Sequence, residues 1–220
     1  SALKTSVAEA VSMMNLLVIP STVGVMVLSR EIVVLLFGRG AFTPEAIDLT
    51  ASALFYYSVG MTAFGLKDVL IRAFYALQDT KTPIMNATIA VIINIVLNIV
   101  LSRFLGIGGL ALATSIAGIV STFLMFITLR KKIGPFGLRE AVISFVKISA
   151  ASLVMGGIAY ATFLFLCSCL SKNTALIASI GIGTVTYGIL ILLMKIPEVD
   201  RTVAAVKLRI RDRKRSRDEN

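Results

Sequence analysis

Apolar runs close to twenty residues long recur along most of this chain, and that feature limits its fold more than any other. A helix of such length crosses a bilayer hydrocarbon core roughly 30 Å thick. Inside that core every backbone N–H and C=O must find a partner within the protein, so each run has to be helical. Composition agrees: 57% of residues are hydrophobic and 15% charged, with a mean hydropathy of +0.90. Soluble domains sit near about a half and about a quarter. The sequence therefore predicts an all-α, polytopic membrane helical bundle of about six transmembrane helices.

The spans fall at about Ser12–Phe37, Glu45–Tyr75, Ile84–Leu105, Leu110–Leu129, Ala141–Cys167 and Thr174–Met194. Pro20 and Gly24 interrupt the first, and a kink is expected there because proline removes a backbone hydrogen bond. Thr43, Glu45 and Asp48 suit the start of the second helix. In the fourth span Ala111, Ser115, Gly118 and Thr122 form one stripe of small residues, the usual surface for close helix packing in lipid. Gly181, Gly183 and Gly188 are expected to allow close contacts in the sixth. The chain opens Ser-Ala-Leu-Lys with its first apolar segment almost at once, which suggests the C-terminal piece of a longer protein.

A formal charge of +10 would suggest nucleic acid in a soluble protein. Here the basic residues lie in loops and in the tail, where orientation in the membrane accounts for them, and no nucleic-acid partner is expected. Lys4, Lys67, Arg72, Lys81, Arg130, Lys131, Lys132, Arg139, Lys147 and the tail share one side. Arg30, Arg39, Arg103 and Lys172 fall on the other. The positive-inside rule then puts both termini in the cytoplasm. Beyond Pro197 the apolar positions of residues 197–220 repeat at helical spacing among many basic residues, the pattern of a basic cytoplasmic tail with an interfacial helix.

Few groups could support catalysis. The chain has no histidine, no pair of carboxylates at working distance within a span, and no Ser or Cys with an evident base, so an enzyme is not expected. Cys167 and Cys169 are too few for a zinc site and poorly spaced for a disulfide, so packing is the simpler role. Gly38-Arg39-Gly40 lacks the spacing of a phosphate loop.

Two constellations stand out. Lys67, Asp68 and Arg72 are the charges of the second span once it is clear of its start. Asp68 and Arg72 are four apart on one helix face and can pair, while snorkelling to the headgroups is the plainer role for Lys67 and Arg72. The helix then stops in Gln78-Asp79-Thr80-Lys81-Thr82-Pro83. The second constellation is uncharged: Asn94 and Asn98 share a face of the third span, and Thr114 lies at comparable depth in the fourth. These three could bind a coupling cation such as Na⁺, or simply hydrogen-bond across the helices.

The Gly38–Phe42 turn, the run Arg72–Pro83, Asn94 with Asn98, and Gly109-Leu110-Ala111-Leu112-Ala113-Thr114-Ser115 occur in the order and spacing of the lipid II flippases (MurJ/MviN family). This family sits in the multidrug/oligosaccharidyl-lipid/polysaccharide exporter superfamily. The chain resembles its C-terminal portion, the last six helices of a fourteen-helix, two-lobe transporter. The resemblance implies second-lobe helices over residues 1–130, an extra pair lining a lipid-tail groove over 131–196, and a tail over 197–220. It further implies alternating access in the bacterial inner membrane. Lipid II and membrane lipids would be the partners, together with the missing N-terminal lobe of the same protein. Arg72, held by Asp68, and then Lys67 are the substrate-binding residues it points to. Asn94, Asn98 and Thr114 mark where Na⁺ would couple, although Asn98 stands where a relative would place an aspartate. An exporter of another lipid-linked polysaccharide or of a drug is the nearest alternative; a non-transporting membrane scaffold is one of a different class.

Overall fold

The computed structural model describes residues 2–134 and 138–194, and it is helical almost throughout. Six helices follow in order: α1 (Ala2–Val27), α2 (Ser29–Phe37), α3 (Pro44–Ala76), α4 (Lys81–Ile133), α5 (Leu138–Leu166) and α6 (Lys172–Leu193). Five of them, all but α2, are long and apolar enough to cross a membrane. The tail after Pro197 and the loop at 135–137 lie outside the described residues.

Although α4 runs for 53 residues, it is a hairpin rather than one rod. Gly106 takes φ 55° and ψ −129°, a conformation open to glycine alone, and the chain reverses there. At Gly109 a Cβ would lie 2.2 Å from the Leu101 carbonyl oxygen, so the second arm can cross the first only without a side chain. The arms, 81–105 and 107–133, correspond to the third and fourth predicted spans. Counted separately, they bring the helical segments long enough to cross a membrane to six among the described residues.

The small-residue stripe on the second arm packs against α3 as expected. Ala111, Ser115, Gly118 and Thr122 are all buried. The Ser115 hydroxyl donates to the Tyr56 carbonyl at 2.7 Å, and Thr122 to the Ala63 carbonyl at 2.9 Å. Such short cross-helix bonds require the backbones to come close. At Gly60 a Cβ would sit 2.8 Å from the Ser115 Cα, and at Gly118 one would sit 2.2 Å from the Phe64 ring. The first arm, by contrast, is exposed along Ile84, Met85, Val91, Ile92, Ile95, Ile99 and Phe104, as suits a surface in contact with lipid or further helices.

Central to the bundle is α1, buried on two sides. Val7 and Val11 pack with Leu70, Ala73 and Phe74 of α3 and with Met125 and Leu129 of α4. On its other side Ile19 meets Ile148 and Ala151 of α5 and Ile191 of α6. At the far end Leu28 packs with Phe163, Ala175 and Leu176.

The first span differs from expectation in where it breaks. The helix runs unbroken through Pro20 and Gly24, and the interruption falls at Leu28 (φ −108°, ψ 20°), where α2 begins. Pro20 leaves the Leu16 carbonyl without its N–H donor. The Tyr187 hydroxyl of α6 donates to that oxygen at 2.7 Å, which satisfies the freed acceptor from a neighbouring helix. In α6 only Gly183 makes a close approach of the three glycines, to Ala159 of α5; Gly181 and Gly188 face open space.

Candidate functional site

The run Gln78–Pro83, which carries much of the family resemblance, forms a joint between three helix ends. α3 closes with the Gln78 N–H bonded to the Tyr75 carbonyl at 2.9 Å and the Asp79 N–H to the Phe74 carbonyl at 3.0 Å. This pair of bonds is a Schellman cap, whose left-handed position normally holds glycine. Here it holds Gln78, at φ 57°. Asp79 then starts α4: one carboxylate oxygen accepts from the Thr82 N–H at 3.1 Å and the other from the Thr82 hydroxyl at 2.6 Å. The second oxygen also pairs with the Lys132 ammonium at the end of the other arm. These three donors, Lys132 foremost, hold the Asp79 carboxyl well below the usual carboxylate range. Lys132 in turn lies 6.0 Å from the centroid of the buried Phe74 ring.

One turn before that cap, α3 and the start of α1 enclose an open groove of about 470 Å³. Asp68 and Arg72 both line it, beside Ser6, Ala10 and Met14. Lys67 is half-buried and not part of its wall. The expected Asp68–Arg72 ion pair is not formed among the described residues; those that form join Lys132 to Asp79 and Arg30 to Asp48. Both side chains are exposed, so water solvates the two charges better than a pair held in one fixed geometry would. Arg72 thus keeps its guanidinium free at the groove, without the carboxylate expected to hold it.

The uncharged constellation does assemble. The Asn98 amide donates to the Asn94 carbonyl oxygen at 2.9 Å, the Asn94 amide to the Thr114 hydroxyl at 3.1 Å, and Thr114 to the Leu110 carbonyl at 3.0 Å. This relay ties the two arms of α4 together. Asn98 Oδ1 is the one member of it left buried and without a partner. Among the described residues no three His, Cys, Asp or Glu side chains gather into a group that could hold a metal ion. As hydrogen-bonded, the donor set serves interhelical bonding before it serves a cation.

A second groove, of about 390 Å³, opens between α1, α5 and α6. Leu16, Leu17, Pro20, Val25, Met155 and Ile180 make its wall apolar. Its hydroxyls are spoken for: Ser21 donates to the Leu17 carbonyl, Thr184 to Ile180 and Tyr187 to Leu16. An occupant would find hydrocarbon and almost no polar demand. Sequence reasoning missed both Tyr187 and the Asp79–Lys132 pair. Pro20 does signal that the Leu16 oxygen needs an outside donor, but not which helix supplies it.

A bundle of helices long and apolar enough to cross a membrane, with an arginine at one groove and an apolar wall around another, defines a polytopic membrane protein. The family model described as "Lipid II flippase MurJ" matches residues 1–168. The "Probable lipid II flippase MurJ" of Thermotoga maritima is 36% identical over 184 residues, covering 84% of this chain and 36% of that protein. Its counterpart from Vibrio cholerae is 34% identical over 190 residues, with the same coverage of each. A solved structure titled "Lipid II flippase MurJ, inward closed conformation" matches with a TM-score of 0.69 and 29% identity, over 87% of this chain and 42% of that one. The chain belongs to the lipid II flippase MurJ family. It spans about a third of the length of the curated relatives it matches.

Proposed function

We propose that this chain is the C-terminal portion of a flippase that carries lipid II, the lipid-linked peptidoglycan precursor, across the bacterial inner membrane by alternating access. The observation that carries this reading is the family match over residues 1–168, which spans the joint at 78–83 and the groove that Arg72 lines. Arg72, unpaired and exposed, is the group suited to an anionic diphosphate; guanidinium binds such oxygens in paired hydrogen bonds. Asp68, on the same wall, and Lys67, outside it, are secondary members. The apolar groove of α1, α5 and α6 suits the lipid tail. The missing N-terminal lobe supplies the other half of the cavity, and both termini of this segment lie in the cytoplasm. The protein is a transporter rather than an enzyme.

A coupling cation such as Na⁺ at Asn94, Asn98 and Thr114 is a second reading, favoured by the unpaired Asn98 Oδ1. Depleting the full-length protein and following lipid II exposure at the outer leaflet tests the main reading. Lost exposure is the expected result. Unchanged exposure points instead to an exporter of another lipid-linked polysaccharide or drug. A scaffold role gains ground if these helices form a stable complex alone while the others prove dispensable.

A further inference from the structure

Pro20 and Tyr187 occupy different helices yet complete one another. Proline removes the N–H that would bond the Leu16 carbonyl, and an unsatisfied carbonyl inside a membrane bundle is costly. The Tyr187 hydroxyl fills that acceptor at 2.7 Å. Leu16, Pro20 and Tyr187 all line the apolar groove between α1, α5 and α6. Of the hydroxyls described along that groove, Ser21 and Thr184 return to carbonyls of their own helices, whereas Tyr187 bonds across to another. The α1 wall next to it packs on α5 through Val23 and Val27, which a Cβ at Gly156 would meet at 2.7 and 3.3 Å, whereas at Gly24 a Cβ would make only an ordinary contact with Met155 Cε at 3.9 Å. Ser21 bonding back to Leu17 loosens the same turn, since such bonds tend to bend helices.

We propose that Tyr187 is the pin of a hinge at Pro20. With its hydroxyl on Leu16, α1 is tied to α6 and the groove keeps its width. When an apolar chain entering the groove displaces the ring, the Leu16 carbonyl is released and the inner half of α1 swings away from α6. Tyr187 is therefore a positioning residue: it sets groove width through α1, whatever the occupant. The inference goes beyond the flippase reading, and its test measures helix geometry rather than transport, so either can fail alone.

The test uses the full-length protein in lipid nanodiscs with Cys167→Ser and Cys169→Ser. Spin labels at Met13→Cys and Leu193→Cys, both exposed, report the distance between the inner ends of α1 and α6. Tyr187→Phe should raise the population at longer distance about threefold, the scale of one interhelical hydrogen bond in a membrane. Pro20→Ala restores an N–H to position 20, so the double variant Pro20→Ala/Tyr187→Phe should return to the parent distribution. A tyrosine that merely packs would not be rescued this way. An unchanged distribution in Tyr187→Phe overturns the proposal, as does a broadened one that persists in the double variant. If Tyr187→Phe does not fold, recovery of a folded double variant supports the hinge and its failure refutes it.

Discussion

Asp79 and Lys132 stand 53 positions apart in sequence and form an ion pair that closes the open end of the α4 hairpin. The same carboxylate caps the first turn of the hairpin through Thr82. One side chain thus fixes where the first arm begins and where the second must end.

That double role makes stability sensitive to acid. The folded carboxyl titrates below its unfolded value, so its contribution is complete above about pH 4 and fades as pH falls through the lower folded value. Asp79→Asn should lower the thermal midpoint near neutral pH, with the gap to wild type shrinking as pH drops below about 4. Asp79→Ala should cost more than Lys132→Ala, because it removes the cap as well as the pair. Thermal unfolding in detergent across pH would read both, and a gap independent of pH would count against the assignment.

Gln78 sits in the left-handed region at the Schellman position, which costs a side-chain-bearing residue roughly 1–2 kcal/mol. Gln78→Gly should therefore stabilise the protein by up to about 1 kcal/mol, after the extra freedom glycine gives the unfolded chain. Gln78→Val should destabilise it. Denaturation midpoints of the two variants should lie on opposite sides of wild type.

Gly118 lies where a Cβ would meet the Phe64 ring at 2.2 Å, whereas Gly181 faces open space. Gly118→Val should force α3 and α4 apart and cost about 1–3 kcal/mol, as overpacking does. Gly181→Ala should be close to neutral. Folded yield and thermal midpoint distinguish them, and equal tolerance of both would show that the two helices are less closely held than the bonds from Ser115 and Thr122 indicate.

The Asn98–Asn94–Thr114 relay should behave as a tie between two arms. Asn94→Leu breaks two of its bonds and should cost about 1–2 kcal/mol, given the average near 0.6 for one interhelical bond. For the cation reading, Asn98→Leu should abolish any dependence of transport on sodium. A wild type indifferent to sodium would leave the relay as the whole role of these residues.

Arg72 lines the groove that Lys67 does not. Arg72→Ala should impair cell-wall synthesis more than Lys67→Ala in a complementation assay of the full-length protein. Equal tolerance would make both of them snorkelling charges.

Much of the fold was legible in the residues. The apolar runs are long enough to cross a bilayer, and once there they can only be helices. The stripe from Ala111 to Thr122 has a spacing that puts small residues on one face. Thr43 before Pro44 marks the start of α3, and the structure has the Thr43 hydroxyl accepting from the Ala46 N–H. Asn94, Asn98 and Thr114 were legible as one polar group, although Thr114 bonds to Asn94 rather than to Asn98, the residue placed at its depth. All of these are local, because periodicity and caps act over a few residues.

What the sequence settled by itself, then, is the helical membrane bundle, its succession of spans and its family, since length, polarity and motif order are written along the chain. Tertiary structure alone decided that Tyr187 bonds the carbonyl that Pro20 frees, that Asp68 and Arg72 form no ion pair, and that Lys132 closes on Asp79. Those outcomes depend on which distant helix brings a donor within about 3 Å or leaves a charge to water, and helix-to-helix distance is not encoded in any short window of residues.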